Sequence, residues 1–100
     1  MNAIDQKLAE LGVTLPDAPA PAANYVPFVQ VGNLLHVSGQ MSRDGAGLII
    51  GKLGQDLAVE AGAAAARTCA MLLLAQVRAA CGGDFGRLVR VVKLDRKSVV

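Results

Sequence analysis

Asn24-Tyr25-Val26-Pro27-Phe28-Val29-Gln30-Val31-Gly32-Asn33-Leu34-Leu35-His36-Val37-Ser38-Gly39-Gln40 decides the fold of this chain. It divides into two strand-like runs, Tyr25 to Val31 and Leu34 to Ser38. The Gly32-Asn33 pair between them tolerates the positive backbone angles of a tight hairpin turn. Two strands alone are marginal in water, so other parts of the chain must cover one face. The apolar stretch from Leu57 to Cys81 supplies that cover as a long helix. On a helical wheel Ala58, Ala65, Cys69, Leu72, Leu73 and Ala80 form the core face, while Glu60, Arg67 and Arg78 fall opposite. Met71 and Leu74 lie close to the charged side. They read either as ordinary scatter of exposed apolar residues or as contact with a C-terminal segment or a subunit.

Upstream of the hairpin, Ile4, Leu8 and Leu11 recur at helical spacing and Gly12 is placed to stop the helix, which spans residues 2 to 12. Leu15 to Ala23 then runs extended, because its prolines exclude helix and disfavour ladder pairing. It reads as a surface-hugging linker in preference to a Pro-rich ligand motif, since the basic flanks of such motifs are lacking. Downstream, Met41 to Gly47 is an exposed turn and Leu48 to Ile50 a third strand closed by Gly51-Lys52-Leu53-Gly54. That glycine pair lacks the spacing and the terminal Ser/Thr of a phosphate loop. Asp56 is placed to cap the long helix, Glu60 suits its positive end, and Gly82-Gly83 ends it. Leu88 to Leu94 is rich in β-branched residues and reads as a further strand.

The order helix, hairpin, strand, long helix, strand predicts an α+β fold. A mixed sheet is covered on one face by the long helix, with a right-handed crossover leading to the last strand. The other sheet face and at least one edge stay unaccounted for.

With 100 residues the chain has room for one core, and 53% hydrophobic with 3% aromatic residues means a core of Leu, Val and Ala. A formal charge of +2, from ten basic against eight acidic residues spread from Lys7 to Lys97, does not make a nucleic-acid surface. No early apolar run forms a signal peptide and no segment reaches the length of a membrane span, so a cytoplasmic location is expected. Cys69 and Cys81 lie more than three turns apart on one helix and cannot bridge each other. They fit no metal motif, and His36, the only histidine, is on another element. Both thiols therefore read as small buried hydrophobes, and no metal or cofactor is implied.

The polar groups on or beside the hairpin are Tyr25, His36, Ser38 and Gln40. Ser38-Gly39-Gln40, at a strand end, could present a hydroxyl and backbone donors to a ligand. Alternation puts His36 and Ser38 on one face and Leu35 and Val37 on the other. A serine–histidine nucleophile needs a third group to orient the histidine, and none can be named. Arg87, Arg90 and Lys93 do not share one strand face, so RNA binding is poorly supported.

Taken together, Asn24-Tyr25-Val26-Pro27, Val31-Gly32-Asn33-Leu34-Leu35, Val37-Ser38-Gly39-Gln40, Gly51-Lys52-Leu53-Gly54 and Ala65-Ala66-Arg67 resemble the YjgF family of reactive-intermediate deaminases. Within it the chain is similar to the chorismate-mutase-like endoribonuclease branch, also called endoribonuclease L-PSP. The resemblance spans residue 5 to about residue 94. It implies a chorismate-mutase-like α+β domain, homotrimers with pockets at subunit boundaries, and hydrolysis of reactive enamines and imines to keto acids and ammonia. It also implies two alternatives: an endoribonuclease that inhibits translation, and a trimeric module that binds a small ligand without turnover. By resemblance Tyr25 and Ser38 line the pocket, with Gly39 and Gln40 in the same motif as substrate-binding residues. The partner implied is a small imine, enamine or keto acid, with neither nucleic acid nor membrane.

The family's carboxylate-binding arginine and water-positioning glutamate belong after a second helix and have no counterpart in this chain, so no catalytic residue is assigned. Residues 1–94 are accordingly expected to be a partial domain, with the last helix and strands missing and activity lost. Asp-Arg-Lys-Ser-Val-Val at 95–100 departs from the family pattern and looks like a translated sequencing adapter, so a non-native tail is expected. Leu72 departs as well, since relatives carry asparagine there.

Overall fold

The computed structural model describes residues 2–20, 24–44 and 47–95. The architecture is α+β, as the order of the sequence elements predicts, with two separate two-stranded antiparallel sheets where a mixed sheet is expected and one long helix packed against them.

Helix α1 spans Ala3–Glu10. Its start is set by Asn2, whose side-chain oxygen accepts from the Asp5 backbone N–H at 2.9 Å and satisfies one of the unpaired donors of the first turn. Its end is set by Gly12, at φ +68, which turns the chain so that the Gly12 and Val13 amides reach back to the Ala9 and Leu8 carbonyls. Ile4 and Leu8 are half-buried while Leu11 stays exposed.

Strands β1 (Phe28–Val31) and β2 (Leu34–Val37) form the hairpin. Phe28 is opposite Val37, Val29 opposite His36, Gln30 opposite Leu35 and Val31 opposite Leu34. Gly32 alone takes a positive φ, +59, so the turn has its demanding residue first, as in the II′ geometry that matches strand twist. Residues opposite one another share a face, which puts Phe28, Gln30, Leu35 and Val37 together. Leu35 and Val37 are the half-buried positions of β2, the strand on which the long helix packs. Val29, Val31 and Leu34, on the other face, are 46%, 61% and 51% exposed.

The short strands β3 (Arg43–Asp44) and β4 (Gly47–Leu48) pair antiparallel, and Ser42 and Ile49 extend the pairing through backbone and hydroxyl bonds. The turn expected over Met41 to Gly47 is therefore itself a small hairpin, with its apex at 45–46 outside the described residues. The third strand begins at Gly47 and pairs with β3 instead of joining β1 and β2.

Helix α2 spans Val59–Ala80 and packs against β2 and β3. Asp56 does not cap it. Its carboxylate accepts from the Lys52 N–H at 2.6 Å and closes the 52–57 turn, leaving Ala58 as a cap residue without a side-chain acceptor. At Gly62 an added Cβ would meet the tip of the exposed Leu53 side chain, which would have to move aside. At the other end Cys81 is the cap residue, and Gly82 and Gly83 at φ +68 and +90 return their amides to the Ala79 and Arg78 carbonyls.

The buried side of α2 is Ala65, Leu72, Ala75 and Gln76, with Cys69 and Leu73 half-buried and Ala58 exposed. Arg78, expected among the exposed charges, is half-buried because its guanidinium donates to the Pro16 carbonyl at 3.1 Å. Gln76 donates to the Pro19 carbonyl at 2.9 Å. The proline-rich run, which forms neither helix nor strand, is thus fastened along α2, with Leu15 buried beside it. Its remainder, 21–23, lies outside the described residues.

After α2 a 3-10 turn, Phe85–Arg87, packs on α1 and buries Phe85. Asp84 caps it through the Gly86 amide and accepts from the Asn2 side chain, tying the start of α1 to the turn after α2. The strand expected at Leu88 to Leu94 is not formed. Its backbone has no ladder partner among the described residues, and Val89, Val91, Val92 and Leu94 are all at least 70% exposed. β-Branched composition favours extended backbone, but a strand exists only through its pairing, and the parallel element of the expected mixed sheet depended on this segment. The tail expected at 95–100 lies, past Asp95, outside the described residues.

Candidate functional site

The proline run, the entry to the hairpin, β3 and α2 converge on one small cavity, lined by Pro19, Ala20, Tyr25, Pro27, Gln40, Met41, Arg43, Leu72 and Gln76. Its volume is about 20 Å³, enough for a single water. Tyr25 and Gln40 both line it. Gln40 is held by its own strand end, its amide donating to the Ser38 carbonyl at 3.0 Å.

Ser38 and Gly39 are adjacent to this cavity without lining it. The Ser38 hydroxyl donates to the Val26 carbonyl at 2.6 Å and its amide to the Pro27 carbonyl, so the side chain extends the hairpin instead of presenting a free nucleophile. Gly39 is exposed. His36 is opposite Val29 on the uncovered face, with Ser38 hydrogen-bonded elsewhere, and no serine–histidine pair forms.

Two residues of the cavity escape a sequence reading. Arg43 falls in what looks like a solvent turn, yet β3 lies on α2: the Arg43 amide donates to the Thr68 hydroxyl at 3.2 Å, and that hydroxyl donates to the Ala65 carbonyl. The Arg43 Nε is consequently buried. Gln76 is a polar residue inside the core stripe, 1% exposed. Its amide nitrogen is spent on Pro19, which leaves Oε1. Arg43 Nε and Gln76 Oε1 are both buried without a hydrogen-bond partner among the described residues. An unpartnered buried group costs about 1–3 kcal/mol, so two around one cavity are informative. The available signal was the position of Gln76, at i+4 from Leu72 and in line with Ala65.

Leu72 walls this cavity and also a larger apolar groove of about 250 Å³ shared with Pro16, Arg43, Thr68 and Met71. A leucine at the position where the resemblance places asparagine gives Arg43 and Gln76 an apolar neighbour. Cys69 and Cys81 are free and half-buried, and burial pushes the Cys69 thiol up, which keeps it protonated at neutral pH. Among the described residues no group of three potential ligands could hold a metal, and no helix is long and apolar enough to cross a membrane.

Comparison with known proteins agrees with this architecture. Protein TCP17 of Trypanosoma cruzi is 51% identical over 89 residues, which are 88% of this chain and 55% of that protein. The crystal structure of a putative endoribonuclease from Shewanella oneidensis superposes with a TM-score of 0.73 at 36% identity, covering 81% of this chain and 54% of the other. The protein Atu1372 of Agrobacterium tumefaciens, of unknown function, superposes with a TM-score of 0.66 at 45% identity, covering 81% of this chain and 48% of the other. The chain thus spans about half the length of these relatives. The family model described as YjgF/chorismate mutase-like, putative endoribonuclease matches residues 5–100, and the chain belongs to that family.

Proposed function

We propose that the native protein hydrolyses small reactive imines or enamines derived from amino acids, releasing ammonia and a keto acid. One observation carries this reading: Tyr25 and Gln40, from the stretch that resembles the family motif, line one recess together with Arg43 and Gln76, whose Nε and Oε1 are buried without a partner among the described residues. Tyr25 and Gln40 with the neighbouring Ser38-Gly39 strand end form this chain's share of a substrate pocket, completed by further residues across a homotrimer boundary. The protein acts in the cytoplasm without metal or cofactor. The carboxylate-binding arginine and the glutamate that the resemblance implies have no counterpart among these residues.

Generating an imine in situ with an amino-acid oxidase, and following ammonia release, tests the reading. The complete native protein accelerates release and the 100-residue chain does not. Equal rates with and without the native protein would rule the activity out.

A second reading is favoured by the family description and by the Shewanella oneidensis neighbour, both named as putative endoribonucleases. On that reading His36 or Tyr25 acts in RNA cleavage. His36, however, is exposed opposite Val29, and of the basic residues Arg87 ends the 3-10 turn while Arg90 and Lys93 lie along an unpaired segment. RNA degradation that survives stringent purification and disappears on changing His36 or Tyr25 would favour the nuclease. Equilibrium binding of a keto acid with no turnover would instead favour a non-catalytic ligand-binding trimer.

A further inference from the structure

Residues 16–20 border two spaces at once. Pro19 and Ala20 line the recess of about 20 Å³ that Tyr25 and Gln40 also line, and Pro16 lines the apolar groove of about 250 Å³. Arg43 and Leu72 wall both, so recess and groove are neighbours along one stretch of chain. Little holds that stretch in place. Among the described residues its backbone bonds to no other backbone, and two side chains of α2 fasten it: Arg78 on the Pro16 carbonyl at 3.1 Å and Gln76 on the Pro19 carbonyl at 2.9 Å. Leu15 is buried and anchors one end, while Pro16, Asp17, Ala18 and Ala20 are exposed. The two prolines fix φ, so the stretch has few internal rotations and moves as a stiff piece.

With the run seated, the arrangement is incomplete in two ways. The recess has room for one water and none for an imine or a keto acid, although Tyr25 and Gln40 line it. Arg43 Nε and Gln76 Oε1 are buried without a hydrogen-bond partner among the described residues, a standing cost that exposure removes. Lifting residues 16–20 gives up two bonds that water replaces, one of them at the already exposed Pro16, and lets solvent or a ligand reach both unpartnered atoms. Gain and loss offset each other, which is the condition for a segment with two positions. We propose that residues 16–20 are a flap that lifts from α2 about the Leu15 anchor and merges recess and groove into one site that admits a small ligand.

The identity of the ligand rests on the hydrolase reading above; the flap does not. In the open site the polar groups are the Gln76 amide, with donor and acceptor both released, and Arg43 Nε, while Met71 and Leu72 line the groove with apolar surface. A polar head on an apolar body of several carbons fits that pattern. The imine or keto acid of a branched amino acid has this shape, whereas pyruvate leaves the groove empty.

Thiol labelling of the complete native protein tests the flap. Leu72→Cys puts a thiol at a position 5% exposed between recess and groove, with every native cysteine, Cys69 and Cys81 included, changed to alanine. If that variant does not fold, Met71→Cys in the same groove gives the same reading. Labelling is expected in the absence of urea, at a rate that hardly rises at low urea, because a local opening exposes little surface. Arg78→Met loosens Pro16 without touching the recess, and is expected to raise the rate about 2–5-fold, the effect of one lost hydrogen bond that water replaces. Labelling with the urea slope of global unfolding, or a rate indifferent to Arg78→Met, would overturn the flap. The ligand has its own test. Occupation of the open site by 4-methyl-2-oxopentanoate, the keto acid of leucine, is expected to slow labelling at a concentration about 10-fold or more below that needed with pyruvate. Equal protection by the two acids, or protection by neither, would overturn the merged site. Protection by 4-methyl-2-oxopentanoate in a protein that does not accelerate ammonia release defeats the hydrolase reading and supports the site.

Discussion

The run at 13–20 and the segment at 88–94 both lie outside helix and strand and both lack a ladder partner, yet only the first is built into the fold. The proline run is the less promising by composition, since Pro16 and Pro19 carry no N–H and cannot pair as donors. Their carbonyls are nevertheless satisfied by the Arg78 and Gln76 side chains of α2, and Leu15 is buried at 8% exposure. The valine-rich segment has a full set of donors and acceptors and a high strand preference. Past Leu88, whose amide bonds to Phe85, its backbone makes no hydrogen bond among the described residues. Its one ion pair, Lys93 with Asp95, is 77% and 81% exposed and contributes little. Local preference proposes an extended segment, and long-range hydrogen-bond partners decide whether it becomes structure.

The largest expected effect that follows is at Leu15. Replacing it with alanine empties part of the core under the proline run and is expected to destabilise the chain by about 2–4 kcal/mol, read from the urea midpoint at unchanged slope. A change below about 0.5 kcal/mol would show that the run is not docked in solution, and the contrast between the two segments would collapse. Limited digestion gives an independent reading. A broad-specificity protease is expected to cut 88–94 well before 13–20, because exposed backbone without hydrogen bonds needs no opening to enter a protease site. Simultaneous cleavage of both would put them in the same class.

The same logic separates what was legible in the sequence from what was not. The hairpin was legible because Gly32-Asn33 sits between two alternating runs, a local signal. The core stripe of α2 was legible around Ala65 and Leu72 because helical periodicity is local too. Asp56 was misplaced as a helix cap because a carboxylate that can cap can equally close a turn, and the Lys52 amide was nearer. Leu88 to Leu94 was misread as a paired strand because its residues report backbone preference and carry no information on a partner. In the candidate site, Tyr25 and Gln40 were named through motif resemblance, and both line the recess. Arg43 and Gln76 were missed, because a charged residue in a glycine-containing turn and an amide in a helix both normally face water. What reverses the expectation is tertiary: Thr68 receiving β3, and Pro19 arriving over Gln76.

A smaller effect is expected at Arg78. Changing it to methionine keeps the apolar stem and removes the donor to the Pro16 carbonyl. Pro16 is exposed, so water replaces most of that bond and the expected cost is about 0.5–1 kcal/mol. A cost above about 2 kcal/mol would mean that the carbonyl is shielded, making the run more deeply built in than the hydrogen bonds indicate.

The smallest effect is expected in the segment the composition favours most. Val89→Ala removes two methyl groups that are already in water at 93% exposure, so no cavity forms and no packing is lost. The expected change is within about 0.5 kcal/mol in either direction, with the alanine also lowering strand preference slightly. A loss of more than about 1 kcal/mol would require Val89 to be packed in solution, and its dependence on protein concentration then identifies the cover. A loss that grows with concentration places a second copy against the segment, because binding stabilises the folded chain by mass action. A loss independent of concentration places the segment against its own domain, where the unpaired edges of β1 and β2 are the available acceptors. In either case the valines would be strand residues after all, made so by a partner that their composition alone does not specify.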